Sequence, residues 1–217
     1  KANAYGLGQK MIFKTLLQLG CKTFFVATYQ EGLEAVKIKK NINIYVLNGC
    51  TDKKTLLKLV NRGINIVINN SFQLDCLINV AKKNKLVPKC AIHVDTGLNR
   101  LGISIDKIAN TILLAKRYLN ITLIMSHLSC SENKKSKINN IQLKKFKELT
   151  RCFNGLNKPK LSLSNSHGML ISKDFHFDLC RPGGLLYGLS LSKIKIYNIK
   201  NVIRLLAKVI QIKLIKK

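Results

Sequence analysis

Short apolar runs rich in β-branched and aromatic residues recur along the chain, separated by amphipathic helical patterns that are too long to be hairpin turns. Strands joined in this way cross over and pair in parallel, because a parallel ladder needs a connection of a dozen or more residues. The pattern predicts strands at 23–28, 42–47, 64–68, 90–94, 123–126, 161–164 and 177–180. Helices are predicted over 11–19, 31–37, 53–60, 72–83, 107–119 and 140–153, with a short one after His167. Such a series is one strand short of an eight-stranded barrel with helices outside.

The chain opens on Lys1-Ala2-Asn3-Ala4-Tyr5-Gly6-Leu7-Gly8 and runs straight into a helical pattern, which places the absent strand before Lys1. Beyond Gly188 the rhythm changes, and the apolar residues of 202–215 suit a strand of another domain. The expected architecture is α/β. Residues 1–194 form a TIM-type (β/α)8 barrel lacking its first strand, and residues 195–217 begin a C-terminal β-domain. Missing one strand leaves two barrel edges without partners, which favours aggregation.

Composition narrows the function classes. There is no uncharged apolar run of membrane-spanning length and no secretion-type leader, so a soluble, cytoplasmic, non-membrane protein is expected. The seven cysteines are spread widely without C-x-x-C spacing, which fits reduced packing residues and gives no metal site. With 38 Lys and Arg against 10 Asp and Glu, the formal charge is +28. The basic residues are scattered over nearly every predicted helix without interleaved aromatics, so no specific nucleic-acid partner is expected; weak, salt-sensitive polyanion binding stays open.

The chemistry-bearing clusters fall where a barrel builds its active site, at the C-terminal ends of the strands. They are the Lys1 segment, Asp95-Thr96-Gly97-Leu98-Asn99-Arg100-Leu101-Gly102, Ser126-His127-Leu128-Ser129, Ser164-Asn165-Ser166-His167-Gly168, and Arg181-Pro182-Gly183-Gly184-Leu185-Leu186-Tyr187-Gly188. Singly, each could be a turn or a helix cap. Gly6 and Gly8 suit a tight turn behind Lys1.

Taken in order, these clusters resemble those of the alanine racemases, pyridoxal 5'-phosphate enzymes of fold type III, from Lys1 to about Gly188. The resemblance implies that Lys1 is the Schiff-base lysine and one of two catalytic bases. It also implies that Tyr5, Asn165, Ser166, Gly183 and Gly184 border the cofactor phosphate, and that Arg181 faces the pyridine nitrogen. His127 would stack on the ring with a hydrogen bond towards Arg181, Leu47 would pack near the cofactor, and Arg100 would bind the cofactor's phenolic oxygen and the substrate carboxylate. His93 stands where many members carry a carbamylated lysine, Gly184 where a bulkier apolar residue is common, and His167 where a small residue is usual. The implied reaction interconverts L- and D-alanine for peptidoglycan supply in a homodimer. Its second base is a partner-subunit tyrosine outside residues 1–217, so these residues alone would have little activity. A non-catalytic or degenerate cofactor-binding protein is the alternative.

Overall fold

The computed structural model describes residues 1–149, 153, 159–189 and 199–215. Seven strands form one parallel sheet: β1 (Thr23–Val26), β2 (Asn43–Val46), β3 (Asn65–Ile68), β4 (Lys89–Asp95), β5 (Ile103–Ser104), β6 (Asn120–Met125) and β7 (Lys160–Ser162). The order is β1-β2-β3-β4-β6-β7, with the short β5 pairing on β4 beside the main path. Six strands in sequence order with helices between them make an open part of a TIM-type barrel.

The predicted helices form as α2 (Gln9–Gln18), α3 (Tyr29–Ile38), α4 (Lys53–Asn61), α5 (Ser71–Asn84), α6 (Ile105–Ala115) and α7 (Lys137–Leu149), after a single turn, α1 (Ala2–Tyr5). Their starts are written in the sequence. Thr28 and Glu31 close a capping box on α3, Asp52 caps α4 through Thr55 N at 2.8 Å, and Asn70 caps α5 through Gln73 N at 2.9 Å. Residues 150–152 of the predicted 140–153 helix lie outside the described residues.

Strand side chains alternate between two cores. One face packs Ile44, Val46, Ile66, Ile68, Cys90, Ile92 and Ile124 against the helices. The other face turns Phe25, Tyr45, Leu47, Val67, Ala91, Leu123, Met125 and Leu179 into the barrel interior. β3 is buried at all four positions, so Ile66–Ile68 read as a continuous apolar run, as in a strand covered on both sides, while the buried Asn65 donates to Ile44 O at 3.0 Å. Each isoleucine at 0% exposure in β2, β3 and β4 contributes on the order of 2 kcal/mol by leaving water.

Two predicted strands are not formed. Residues 177–180 run beside β7, with Leu179 N donating to Leu161 O at 3.2 Å and Arg181 N to Ser164 O at 3.0 Å. Phe177 has a φ of 50°, and the Ser162 hydroxyl takes the Leu179 carbonyl that a ladder would use, so regular pairing stops there. Residues 202–215 carry no strand either; Leu205, Ile210 and Leu214 are more than nine-tenths exposed, with no ladder partner among the described residues. The domain boundary expected near 195 falls outside the described residues.

Candidate active site

The C-terminal ends of the strands bring most of the predicted site residues together. Ahead of α2 and β1, the backbone reverses through α1, a turn with positive φ at Ala2, Asn3, Ala4 and Tyr5. Left-handed backbone costs ~1–2 kcal/mol per L-residue, so this turn needs support from outside itself. Gly6 at φ 86° and Gly8 at φ 96° complete it, as their place behind Lys1 predicts. Lys1 is exposed, its backbone nitrogen reaches Phe25 O of β1 at 3.3 Å, and its Nζ lies 5.3 Å from the Tyr5 ring centroid. The Lys1 segment therefore lies against β1, which among the described residues pairs only with β2.

Tyr5 meets Tyr187 edge-on, with ring centroids 5.5 Å apart. A Cβ on Gly183 would collide with the Tyr5 hydroxyl, so only glycine lets the loop after residue 181 close on this turn. Ser166, buried, accepts from Gly183 N at 2.8 Å and Leu185 N at 3.3 Å, joining the loop after β7 to the 3₁₀ turn Gly184–Tyr187. Asn165 Oδ1 accepts from Ser131 Oγ and Gly168 N, both at 2.9 Å.

Arg181 lies across the barrel floor. Its guanidinium donates to the Ser162 hydroxyl, to Ser126 O at 2.5 Å and to Leu163 O at 3.3 Å, and sits 5.9 Å from the Phe25 ring centroid. Among the described residues no carboxylate pairs with it, and burial pushes its pKa down to about 10. Among the described residues no hydrogen bond joins His127 to Arg181 as expected; His127 Nε2 is 3.5 Å from Asn165 Nδ2 instead. Burial, followed by the charges of Arg181, Arg100, His93 and Lys1, lowers the His127 pKa to about 3. His127 is thus neutral at physiological pH and surrounded by cations.

Arg100 remains exposed on the loop after β4, close enough for its charge to lower both His127 and His93. Leu47, half-buried, caps the interior cluster at the end of β2. The mouth of the barrel therefore gathers Lys1, Arg100, His127 and Arg181 around an electropositive opening, a setting for an anionic ligand.

Several residues that organise this mouth carry no motif. Gln142 of α7, buried, donates to Thr96 Oγ1 at 3.1 Å and His127 O at 3.0 Å, and accepts from Ser129 N and Oγ. Asn69 donates to Leu47 O at 2.9 Å, which turns its Oδ1 towards His93 Nδ1 at 2.8 Å and makes that nitrogen the donor. Burial first, and then the charge of Arg181, lowers His93 to about pKa 4. Glu31 of α3 accepts from Asn3 N at 2.7 Å, Ala27 N at 2.6 Å and Thr28 N at 3.3 Å. Burial alone would raise its carboxyl, but these three amides outweigh that and hold it below the ordinary value. Glu31 had a sequence signal, the Thr28-x-x-Glu31 capping box; Gln142 and Asn69 had none, since their partners are set by the fold.

The family model described as the alanine racemase N-terminal domain matches residues 1–191. The chain belongs to the alanine racemase family. An alanine racemase of Rickettsia bellii (strain RML369-C) is 42% identical over 195 residues, covering 88% of this chain and 46% of that protein. One of Rickettsia prowazekii (strain Madrid E) is 40% identical over 196 residues, covering 88% and 47%. Among solved structures, the Bartonella henselae alanine racemase with covalently bound pyridoxal phosphate superposes with a TM-score of 0.82 at 32% identity, covering 92% of this chain and 58% of that one. The biosynthetic alanine racemase of Pseudomonas aeruginosa gives 0.76 at 25% identity, covering 89% and 53%. The chain spans about half the length of the curated relatives it matches.

Proposed function

We propose that the full-length protein is a pyridoxal-phosphate-dependent alanine racemase that interconverts L- and D-alanine for peptidoglycan supply, acting in the cytoplasm as a homodimer. The observation that carries this is the convergence of Lys1, Tyr5, Ser166, Gly183 and Arg181 at one barrel mouth in a chain of this family. The residues present fit the cofactor: the Ser166 hydroxyl, the Gly183 amide and the Tyr5 hydroxyl lie together beside the strand ends, and among the described residues the Arg181 guanidinium has no carboxylate partner.

Lys1 would hold the cofactor through its side-chain amine, and that amine would serve as the base on one face of the alanine Cα. Ser166 and Tyr5, with Asn165 and the Gly183 and Gly184 backbone, border the phosphate. The cofactor supplies the electron sink. Arg181, still protonated at neutral pH, would face the pyridine nitrogen and disfavour its protonation, which would restrain side reactions. His127 would lie against the cofactor ring, Leu47 would wall the pocket, and Arg100 would take the substrate carboxylate. Residues 195–217 begin a second domain. No helix among the described residues is long and apolar enough to cross a membrane.

The test is Lys1→Ala in the full-length protein. The visible absorbance of the bound cofactor should vanish, and conversion of L- to D-alanine should fall by at least about three orders of magnitude, as removal of a covalent catalytic group does. Unchanged absorbance would overturn the assignment of Lys1. Cofactor absorbance without turnover in the unaltered protein would favour a degenerate binding protein.

A further inference from the structure

Glu31 sits in a capping box, yet its shorter hydrogen bonds are not the ones a cap requires. Of its three amide donors, Thr28 N, the cap's own, is the most distant at 3.3 Å; Ala27 N is at 2.6 Å and Asn3 N, from the turn that carries Lys1, at 2.7 Å. The two oxygens divide the work, Oε1 to Asn3 and Oε2 to Ala27 and Thr28. The contact is part of a closed circuit. Asn3 Oδ1 accepts from Gln9 N at 2.8 Å, and the Gln9 side chain returns to donate to Glu31 O at 2.8 Å. Tyr5 N in turn donates to Lys1 O, so the anchored amide lies inside the loop that Lys1 opens. Among the described residues, the other tie from this turn's backbone to the neighbouring β1–α3 unit is the Lys1 backbone nitrogen on Phe25 O.

We propose that Glu31 is a positioning residue for Lys1: its carboxylate clamps the left-handed turn through Asn3 N and so fixes the direction from which the Lys1 side chain enters the barrel mouth. This rests on the reading of Lys1 as the cofactor lysine. A carboxylate is required because both oxygens accept at once. In glutamine one oxygen becomes an NH2 group that would face an amide donor, so either the Asn3 bond or the Ala27–Thr28 bonds must break.

The experiment compares Glu31→Gln and Thr28→Ala in the full-length protein. Thr28→Ala removes the hydroxyl that accepts from Glu31 N at 3.4 Å, weakening the helix start while leaving the Glu31–Asn3 contact intact. In cofactor-free protein, hydrogen–deuterium exchange of the peptide covering residues 1–8 should quicken in Glu31→Gln and stay unchanged in Thr28→Ala. With pyridoxal 5'-phosphate added, Glu31→Gln should need about tenfold more to reach half of the visible absorbance, the effect of losing one charge-assisted hydrogen bond. Equal shifts in both variants, or no shift in Glu31→Gln, would overturn the proposal. If Lys1→Ala leaves the absorbance unchanged, the reading of Lys1 fails, while the exchange data still decide whether Glu31 clamps the turn.

Discussion

The two walls of the barrel mouth are held in opposite ways. On the β4–β6 side the backbone is tied from beneath by buried groups: Gln142 reaches Thr96, His127 and Ser129, Thr96 Oγ1 meets Ser126 Oγ at 2.8 Å, and Asp95 Oδ1 gathers the amides of Gly97, Leu98 and Asn99. On the Lys1 side the backbone is exposed, left-handed for four residues, and held by one carboxylate and one amide side chain. The wall that carries the reactive amine has the least support of its own. Rigid elements position a site more firmly than loops do, and here the rigid wall presents His127 and the base of Arg181 while the amine is lent its position by a neighbouring helix.

The sharpest way to break that contrast is Gln142→Ala. It strands the His127 carbonyl and the Ser129 amide and leaves a cavity beside Thr96, so a loss of about 3 kcal/mol is expected from unsatisfied polar groups and lost packing. Urea unfolding of the full-length protein checks this. A loss below about 1 kcal/mol would mean that the β4–β6 wall does not depend on its buried amide.

A second test uses acid. His93 is neutral because burial and Arg181 depress its pKa from about 6.5 to about 4, while Asp95 opposes them and Arg100 adds to the depression. A depressed folded-state pKa means stability fully present above the unfolded value and lost as pH falls from about 6.5 through about 4. Over that window the unaltered protein should lose on the order of 2 kcal/mol relative to His93→Gln, in which the imidazole is absent. Unfolding curves at pH 7 and pH 4.5 for both proteins measure the difference; parallel losses would show that His93 is not the sensor.

How much of this was legible beforehand follows from which interactions are local. The βα alternation predicted six of the seven strands of the expected series within a few residues, because burial on both faces leaves a continuous apolar run such as Ile66–Ile68. The 177–180 strand failed because its composition is apolar but its backbone turns at Phe177 and its carbonyl is captured by Ser162, neither of which is visible in a hydropathy pattern. The two-residue β5 was too short to read. Among the site residues, Lys1, Tyr5, Ser166, Gly183 and Arg181 were found by motif and meet in space, whereas the contacts that Gln142 makes to Thr96 and Asn69 to His93 span 46 and 24 positions. Glu31 lay in plain view as a capping residue, and its second partner, Asn3, is 28 residues distant.

The smallest expected effect separates the side chain of Asn3 from its backbone. Asn3→Ala keeps the amide that donates to Glu31 but removes Oδ1 from Gln9 N, a cap at the start of α2, and replaces a residue tolerant of left-handed backbone with one that is not. The expected cost is about 1 kcal/mol of stability, close to that of an ordinary helix cap. If the Lys1 wall depends chiefly on the carboxylate, cofactor affinity should fall less in Asn3→Ala than in Glu31→Gln, even though the substitution lies within the turn itself. An equal or larger fall would shift the anchor from the charged neighbour to the Asn3–Gln9 bond, and the two walls would then differ only in exposure and not in where their support comes from.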